Sequence, residues 1–119
     1  MAVVEKQPEK IEEKKDIKEP TIQYHIRPSH YLDYDYDTDE FSLEVHIPGV
    51  AKSDIKIRFL EDAYSIEGRR DTALYSVAEY LPFDINVKSI KADYDNGLLR
   101  ITGKIKNPLD EAYDIKIDA

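Results

Sequence analysis

Apolar and polar residues alternate along this chain with a period of two from Tyr24 onward. Residues 41–47 show the pattern most clearly, because Phe, Leu, Val and Ile alternate there with Ser, Glu and His. This period is typical of strands with one buried face, since successive side chains point to opposite sides of a sheet. The pattern predicts about eight strands, within residues 31–37, 41–47, 55–59, 64–67, 74–81, 89–94, 98–105 and 113–117.

Turn signals separate the predicted strands at intervals of about 8–12 residues. Pro48-Gly49 supplies a tight turn, and Asn96-Gly97 tolerates the positive φ values of a type I′ hairpin turn. No segment carries a convincing helical period, so the predicted fold class is all-β, an antiparallel β-sandwich. Its core is predicted to comprise ten residues: Leu43, Val45, Ile47, Ile55, Ile57, Ile66, Leu81, Ile90, Leu99 and Ile101.

The chain divides into three parts by composition. Residues 1–20 contain two prolines, no aromatic residue and a dense mixture of lysine and acid, which leaves too little apolar surface to offset the entropy of ordering. We therefore predict a flexible charged N-terminal arm over residues 1–22, a β-sandwich domain over 23–106 and a short C-terminal tail over 107–119.

Charge and composition narrow the classes of partner and chemistry. The 17 basic and 25 acidic residues give a net charge of −8, which repels phosphate backbones and anionic lipids and makes nucleic acid and membranes poor partners. The absence of cysteine excludes disulfides, thiolate metal sites and cysteine nucleophiles. No apolar run approaches the roughly 20 residues that span a bilayer, and the charged N-terminus is unlike a secretory signal, so we expect a cytoplasmic protein.

No set of residues supports catalysis, a cofactor or a metal. The acidic run Asp33, Asp35 and Asp37 imitates a calcium loop, but Thr38 occupies the position that requires glycine. The three histidines lack a metal-ligand partner at short spacing, and the sequence has neither a glycine-rich phosphate loop nor a nucleophile elbow. We therefore expect a protein that is not an enzyme and uses no cofactor.

Two segments together resemble the small heat shock proteins, the α-crystallin-domain family. FSLEVHIPGVAKSDIKI, residues 41–57, is similar to that family's strand, Pro-Gly turn and entry into the next strand. LPFDINVKSIKADYDNGLLRI, residues 81–101, is similar to its Leu-Pro, alanine-bearing strand and Asn-Gly-Leu-Leu hairpin. The resemblance covers about residues 30–106. It implies an immunoglobulin-like sandwich and an ATP-independent holdase that binds unfolded or partly folded client proteins.

Two features bear on assembly in opposite directions. Residues 69–80 are too short a connection for the strand that microbial family members exchange with a partner chain, which argues against the usual swapped dimer. Ile115 and Ile117, by contrast, resemble the family's isoleucine–x–isoleucine tail motif. Residues i and i+2 of an extended segment face the same way, so both can enter one groove.

Two destinations for the tail remain open. It either leaves its domain and docks between the strands at 55–59 and 90–94, or it packs on its own domain as a terminal edge strand. The candidate groove for the tail or a client is lined by Ile55, Ile57, Phe59, Ile90, Ala92 and Tyr94.

Two functions from different classes fit these observations. The first is a small-heat-shock-like holdase that self-associates through its tail, which the two family-like segments and the Ile-x-Ile motif favour. The second is a monomeric co-chaperone or adaptor of the CS-domain type, which shares the sandwich and lacks the swapped strand. The short connection at 69–80 favours the second.

Overall fold

The computed structural model describes residues 21–118, so the predicted flexible arm lies, except for its last two residues, outside the described residues. The described residues form eight strands and one short 3-10 turn at Lys52–Asp54. The strands are β1 (Tyr24–Ile26), β2 (His30–Asp35), β3 (Glu40–His46), β4 (Ile55–Leu60), β5 (Ala63–Arg70), β6 (Ala73–Tyr80), β7 (Ile85–Asp95) and β8 (Leu98–Ile105).

The strands build two four-stranded sheets, in the orders β1-β6-β5-β4 and β2-β3-β8-β7. All neighbouring strands are antiparallel except β1 and β6, which pair in parallel. The two sheets share one hydrophobic core, so the predicted antiparallel β-sandwich is confirmed. In the described part of the chain, β4 and β7 are edge strands, and they contact each other along one side of the sandwich.

Alternation along the strands fills the core as the sequence pattern predicts. On β3, Phe41, Leu43 and Val45 are buried while the residues between them are not. β5 alternates in the same way and buries Tyr64 and Ile66. Burying one such apolar side chain contributes about 1.5–3 kcal/mol, so this face supplies most of the driving force for folding. The core residues with no exposed surface are Leu43, Val45, Ile47, Ile85 and Ile101.

Three predicted core residues are not fully buried. Ile55 and Ile90 are only partly buried, and Ile57 is 36% exposed. All three lie on β4 or β7, where the inward face of an edge strand meets an opening instead of a second wall. Alternation identifies the inward face of a strand but not its distance from the edge of the sheet, so the prediction was wrong for these positions.

One predicted strand is absent from the structure, and one observed strand was not predicted. The alternation at 113–117 predicts a strand, but residues 107–118 contain none. Alternating residues form a strand only where another strand supplies hydrogen bonds, and a sequence pattern does not show that partner. β1, by contrast, was missed because its three residues are too few to show a period.

The two tight turns of the sequence analysis pack against each other. Asn96 and Gly97 have φ values of 50° and 83°, as the Asn-Gly hairpin predicts. Ile47 donates its backbone N–H to the carbonyl of Gly97 at 2.8 Å. A Cβ at Gly97 would lie 2.9 Å from the backbone Cα of Pro48, so only glycine fits this contact. The Pro-Gly and Asn-Gly motifs are therefore two halves of one contact.

The connection between β5 and β6 is a two-residue turn made of Asp71 and Thr72. Asp71 adopts a φ of 53°, and the Thr72 carbonyl accepts backbone hydrogen bonds from Gln23 and Tyr24 that start β1. The other residues of 69–80 already lie in β5 and β6. This part of the chain therefore has no residues left from which a further strand could form.

Candidate binding groove and C-terminal tail

An open groove runs between the edge strands β4 and β7. Ile57 pairs with the buried Ile66 of β5, and Ala92 pairs with the buried Ile101 of β8. Residues directly opposite in a sheet share a face, so both groove residues point toward the interior. Yet Ile57 and Ala92 are exposed, because no strand covers this side of the sandwich in the described residues.

The six predicted groove residues lie on the two walls of this opening. β4 contributes Ile55, Ile57 and Phe59, and β7 contributes Ile90, Ala92 and Tyr94. Ile55, Phe59, Ile90 and Tyr94 are partly buried and pack against the core. The floor of the groove is thus continuous with the hydrophobic core, which makes it a rigid apolar surface rather than a mobile loop.

Tyr94 forms one end of the groove and is fixed by its hydroxyl. That oxygen lies 3.0 Å from the carbonyl oxygen of Ile47 and 2.7 Å from that of Val50, and its proton can be donated to either. The bond holds the loop around the Pro-Gly turn against β7. The ring of Tyr94 therefore forms groove wall, while its polar end belongs to the structure of the loop.

Replacing Tyr94 by Phe is expected to lower the free energy of unfolding by about 1–2 kcal/mol, because the hydroxyl that bonds to the loop carbonyls is lost while the ring stays. Chemical denaturation measures the change. Tyr31→Phe is the control, since Tyr31 is 64% exposed, and we expect it to alter stability by less than about 0.5 kcal/mol. Equal effects of the two substitutions would contradict the assignment of the Tyr94 hydroxyl.

Basic side chains flank the groove on both strands. β4 has the sequence IKIRFL and carries Lys56 and Arg58 without any acid. β7 carries Lys88 and Lys91 before Asp93 and Asp95, so the two strands together have two more basic residues than acidic ones. These cations were not among the predicted site residues. Their signal in the sequence was present, as lysine and arginine alternate with the isoleucines that line the groove. The rim therefore favours an apolar segment with negative charge.

The C-terminal tail has the matching composition and is undocked within its own chain. Two turn hydrogen bonds, Asp110 N–H to the Asn107 carbonyl and Ala112 N–H to the Leu109 carbonyl, precede a segment that lies in no helix or strand. In that segment Ile115 is 85% exposed and Ile117 is 96% exposed. The tail from 107 to 118 has acids at positions 110, 111, 114 and 118 and one lysine at 116. Its charge is therefore opposite to that of the groove rim.

The outer face of the β2-β3-β8-β7 sheet differs from the groove in being polar and internally paired. Arg100 donates to Glu44 at 2.7 Å, and Lys104 donates to Glu40 at 2.9 Å. The hydrogen bond from Lys104 holds the pKa of Glu40 below its usual value. Exposed pairs of this kind contribute little to stability. This face therefore carries paired charges beside the exposed ring of Tyr31.

The residues of the metal and catalytic hypotheses are scattered in the structure. His30 Nδ1 lies 2.9 Å from the Pro28 carbonyl, and Asp35 accepts a hydrogen bond from the backbone N–H of Asp37. Within residues 21–118, no group of three or more His, Cys, Asp or Glu side chains is placed to hold a metal ion. None of the helical structure in this range is long and apolar enough to cross a membrane.

Comparison with profiles of protein families shows to which family of β-sandwich proteins this chain belongs. The profile of the Hsp20/alpha crystallin family matches residues 33–118, which include both groove strands and the tail motif. The chain belongs to the Hsp20/alpha crystallin family. This membership confirms the resemblance carried by the Pro-Gly and Asn-Gly-Leu-Leu segments. Comparison with curated protein sequences gives no match.

Solved small heat shock proteins share the fold of this family member. Heat shock protein 16.0 from Schizosaccharomyces pombe is 23% identical, with 78% of this chain and 99% of that chain covered and a TM-score of 0.61. HSP18.5 from E. histolytica is 15% identical, with 80% of this chain and 100% of that chain covered and a TM-score of 0.61. A small heat-shock protein from Xylella fastidiosa is 18% identical, with 77% of this chain and 96% of that chain covered and a TM-score of 0.58. At these identities the likeness concerns the fold.

Proposed function

We propose that this protein is an ATP-independent holdase, which binds apolar segments of unfolding client proteins in the β4–β7 groove and so suppresses their aggregation. The observation that carries the proposal is the open apolar groove itself, with Ile57 exposed on a rigid floor between two edge strands. Membership of the Hsp20/alpha crystallin family supports it. Binding of this kind needs no chemical step, and so no catalytic residue.

The tail gives the groove a second occupant. We propose that Ile115 and Ile117 of one chain dock in the groove of another, because both are exposed on their own chain and the net negative charge of the tail is opposite to that of β4. Burying two isoleucine side chains contributes roughly 3–6 kcal/mol at most, before the cost of ordering the tail. A single link is therefore reversible, while several links in one assembly reinforce each other through effective concentration.

Reversible tail docking connects assembly to client binding. A tail that leaves the groove exposes the same six apolar residues that a client segment would use, so tail and client compete. The Xylella fastidiosa relative forms a distinct high order structure, which supports assembly as a property to test here. We propose that the activity operates in the cytoplasm, whose reducing conditions suit a chain without cysteine.

A monomeric adaptor is the second candidate function. The two-residue turn between β5 and β6 favours it, because this connection cannot supply an exchanged strand to a partner. The native mass of the full chain separates the two candidates. A multimeric mass supports the tail-linked holdase, whereas a monomeric mass at micromolar concentration, with no effect on client aggregation, supports the adaptor.

Replacing Ile57 by Glu is expected to reduce the suppression of aggregation of a heated client severalfold, since a carboxylate would sit on the apolar floor of the groove. Light scattering of the client measures this. Leu60→Glu is the matched control: Leu60 is 68% exposed on the same strand but faces away from the groove, so its activity should stay near wild type.

The same assay tests the absence of a cofactor requirement. Suppression by the wild-type protein is expected to be unchanged by ATP or by a chelator, since the sequence has no phosphate loop and its described part no metal cluster. Dependence on either addition, or equal loss of activity in the Ile57→Glu and Leu60→Glu variants, would contradict the proposed function.

A further inference from the structure

Three aromatic rings form an exposed cluster at the end of the sandwich where β2 finishes. The ring centroids of Tyr34 and Phe83 lie 5.1 Å apart, those of Tyr34 and Tyr36 5.3 Å, and those of Tyr36 and Phe83 6.2 Å. Phe83 also lies 5.9 Å from the buried Phe41, which anchors the cluster to the core. Tyr34 is 43% exposed and Tyr36 58% exposed, so a fixed aromatic surface faces solvent.

A cavity of about 800 Å³ adjoins this cluster. Its apolar lining consists of Tyr36, Pro82, Phe83, Ile105 and Pro108. Two backbone hydrogen bonds of 2.8 Å, from Ile105 to the Asp39 carbonyl and from Lys106 to the Asp84 carbonyl, hold its sides together. The cavity is therefore preformed, and its volume is within the range of ordinary ligand pockets.

The charged residues around this cavity are mostly acidic. Asp39, Asp84, Asp110 and Glu111 line it, and Lys106 is the one cation among its lining residues. The Lys106 ammonium is paired with the carboxylate of Glu61 and also lies near those of Asp84 and Glu111, so one cation stands against four acids of the lining. An aromatic surface bordered by an excess of carboxylates attracts a cation on an apolar segment, since the face of each ring and the net negative charge act in the same direction.

We propose that this acidic aromatic surface is a second docking site, for short client segments in which a lysine or arginine neighbours an apolar side chain. The cation lies over the exposed ring of Tyr36, and the apolar neighbour enters the cavity against Phe83. The tail of this protein is excluded, because its four acids and single lysine would be repelled. The proposal rests on the proposed holdase function and adds the class of client segment preferred.

Two labelled peptides test this proposal on the full chain: one repeats lysine, phenylalanine and glycine, and the other has glutamate in place of lysine. Fluorescence anisotropy gives the dissociation constant of each. We expect the lysine peptide to bind about tenfold more tightly than the glutamate peptide. Tyr36→Ala should raise the dissociation constant of the lysine peptide about two- to fivefold, as expected for a lost cation–π contact.

A charge variant and a control localise the binding. The dissociation constant of the lysine peptide should rise about tenfold in a triple variant that combines Asp84→Asn, Asp110→Asn and Glu111→Gln. The control Tyr31→Ala removes a ring that is 64% exposed elsewhere on β2, and it should leave the dissociation constant unchanged. Equal affinity for the two peptides, or equal effects of Tyr31→Ala and Tyr36→Ala, would overturn the second site.

The failure of this site and that of the holdase proposal have different signatures. If the protein suppresses client aggregation but Tyr36→Ala leaves peptide binding unchanged, the second site is overturned and the holdase proposal stands. Peptide binding that depends on Tyr36, in a protein that fails to suppress aggregation, supports the surface and overturns the holdase.

Discussion

Replacing both Ile115 and Ile117 by Ala is expected to lower the mass of the assembly while leaving the free energy of unfolding within about 0.5 kcal/mol of wild type. Both side chains are almost fully exposed on their own chain, so their loss removes no contact of the folded domain. Each contact between a tail and a groove would lose about 3 kcal/mol, which raises its dissociation constant more than a hundredfold.

Native mass spectrometry and chemical denaturation together measure this pair of effects. Leu109→Ala is the matched control, because Leu109 is 74% exposed in the tail but lies outside the motif, and its mass should equal that of wild type. A stability loss of several kcal/mol at unchanged mass would instead indicate that the tail packs on its own domain. The same loss of mass in the Leu109→Ala control would show that the isoleucine pair is not specific.

Replacing Gly97 by Val is expected to lower the free energy of unfolding by about 3–5 kcal/mol. Gly97 has a φ of 83°, which a β-branched side chain adopts only under strain. A Cβ there would also lie 2.9 Å from the Pro48 backbone, which cannot move without displacing the Pro-Gly turn. The total free energy of unfolding of most domains is about 5–15 kcal/mol. This variant should therefore unfold at a much lower urea concentration than the wild-type protein.

The neighbouring position supplies the control for that effect. Asn96→Gly places glycine at a φ of 50°, where it is unstrained, and a Gly-Gly pair also forms type I′ turns. We expect its unfolding free energy to change by less than about 1 kcal/mol. A Gly97→Val protein as stable as the Asn96→Gly protein would show that the contact with Pro48 is not needed.

The sequence predicts the strands of this fold well because alternation and turn chemistry act locally. The burial of Leu43 and Ile101 and the positive φ of Gly97 all follow from residue type and spacing. What the pattern omits is which strands lie at the sheet edges. The sequence pattern therefore predicts Ile57 as a core residue, whereas it lies partly exposed in the groove of the structure.

The candidate site was predictable in part for the same reason. The isoleucine pair of the tail and the residues of the two groove strands are found from motifs along the chain, whereas surfaces assembled from distant segments are not. Tyr36 and Phe83 are 47 positions apart and meet only because β2 and the loop before β7 end at the same end of the sandwich. No local pattern connects them.

Cross-linking between two single-cysteine variants tests the central claim most directly, because the wild-type chain has no cysteine to interfere. Chains with Asp118→Cys are mixed with chains carrying Ala92→Cys in the groove or, as a control, Ala78→Cys on the exposed face of β6. With a mild oxidant added to accept the two electrons, docking of one chain's tail in another's groove predicts rapid disulfide formation with position 92 and little with position 78. Equal rates at the two positions, or none at position 92, would contradict it.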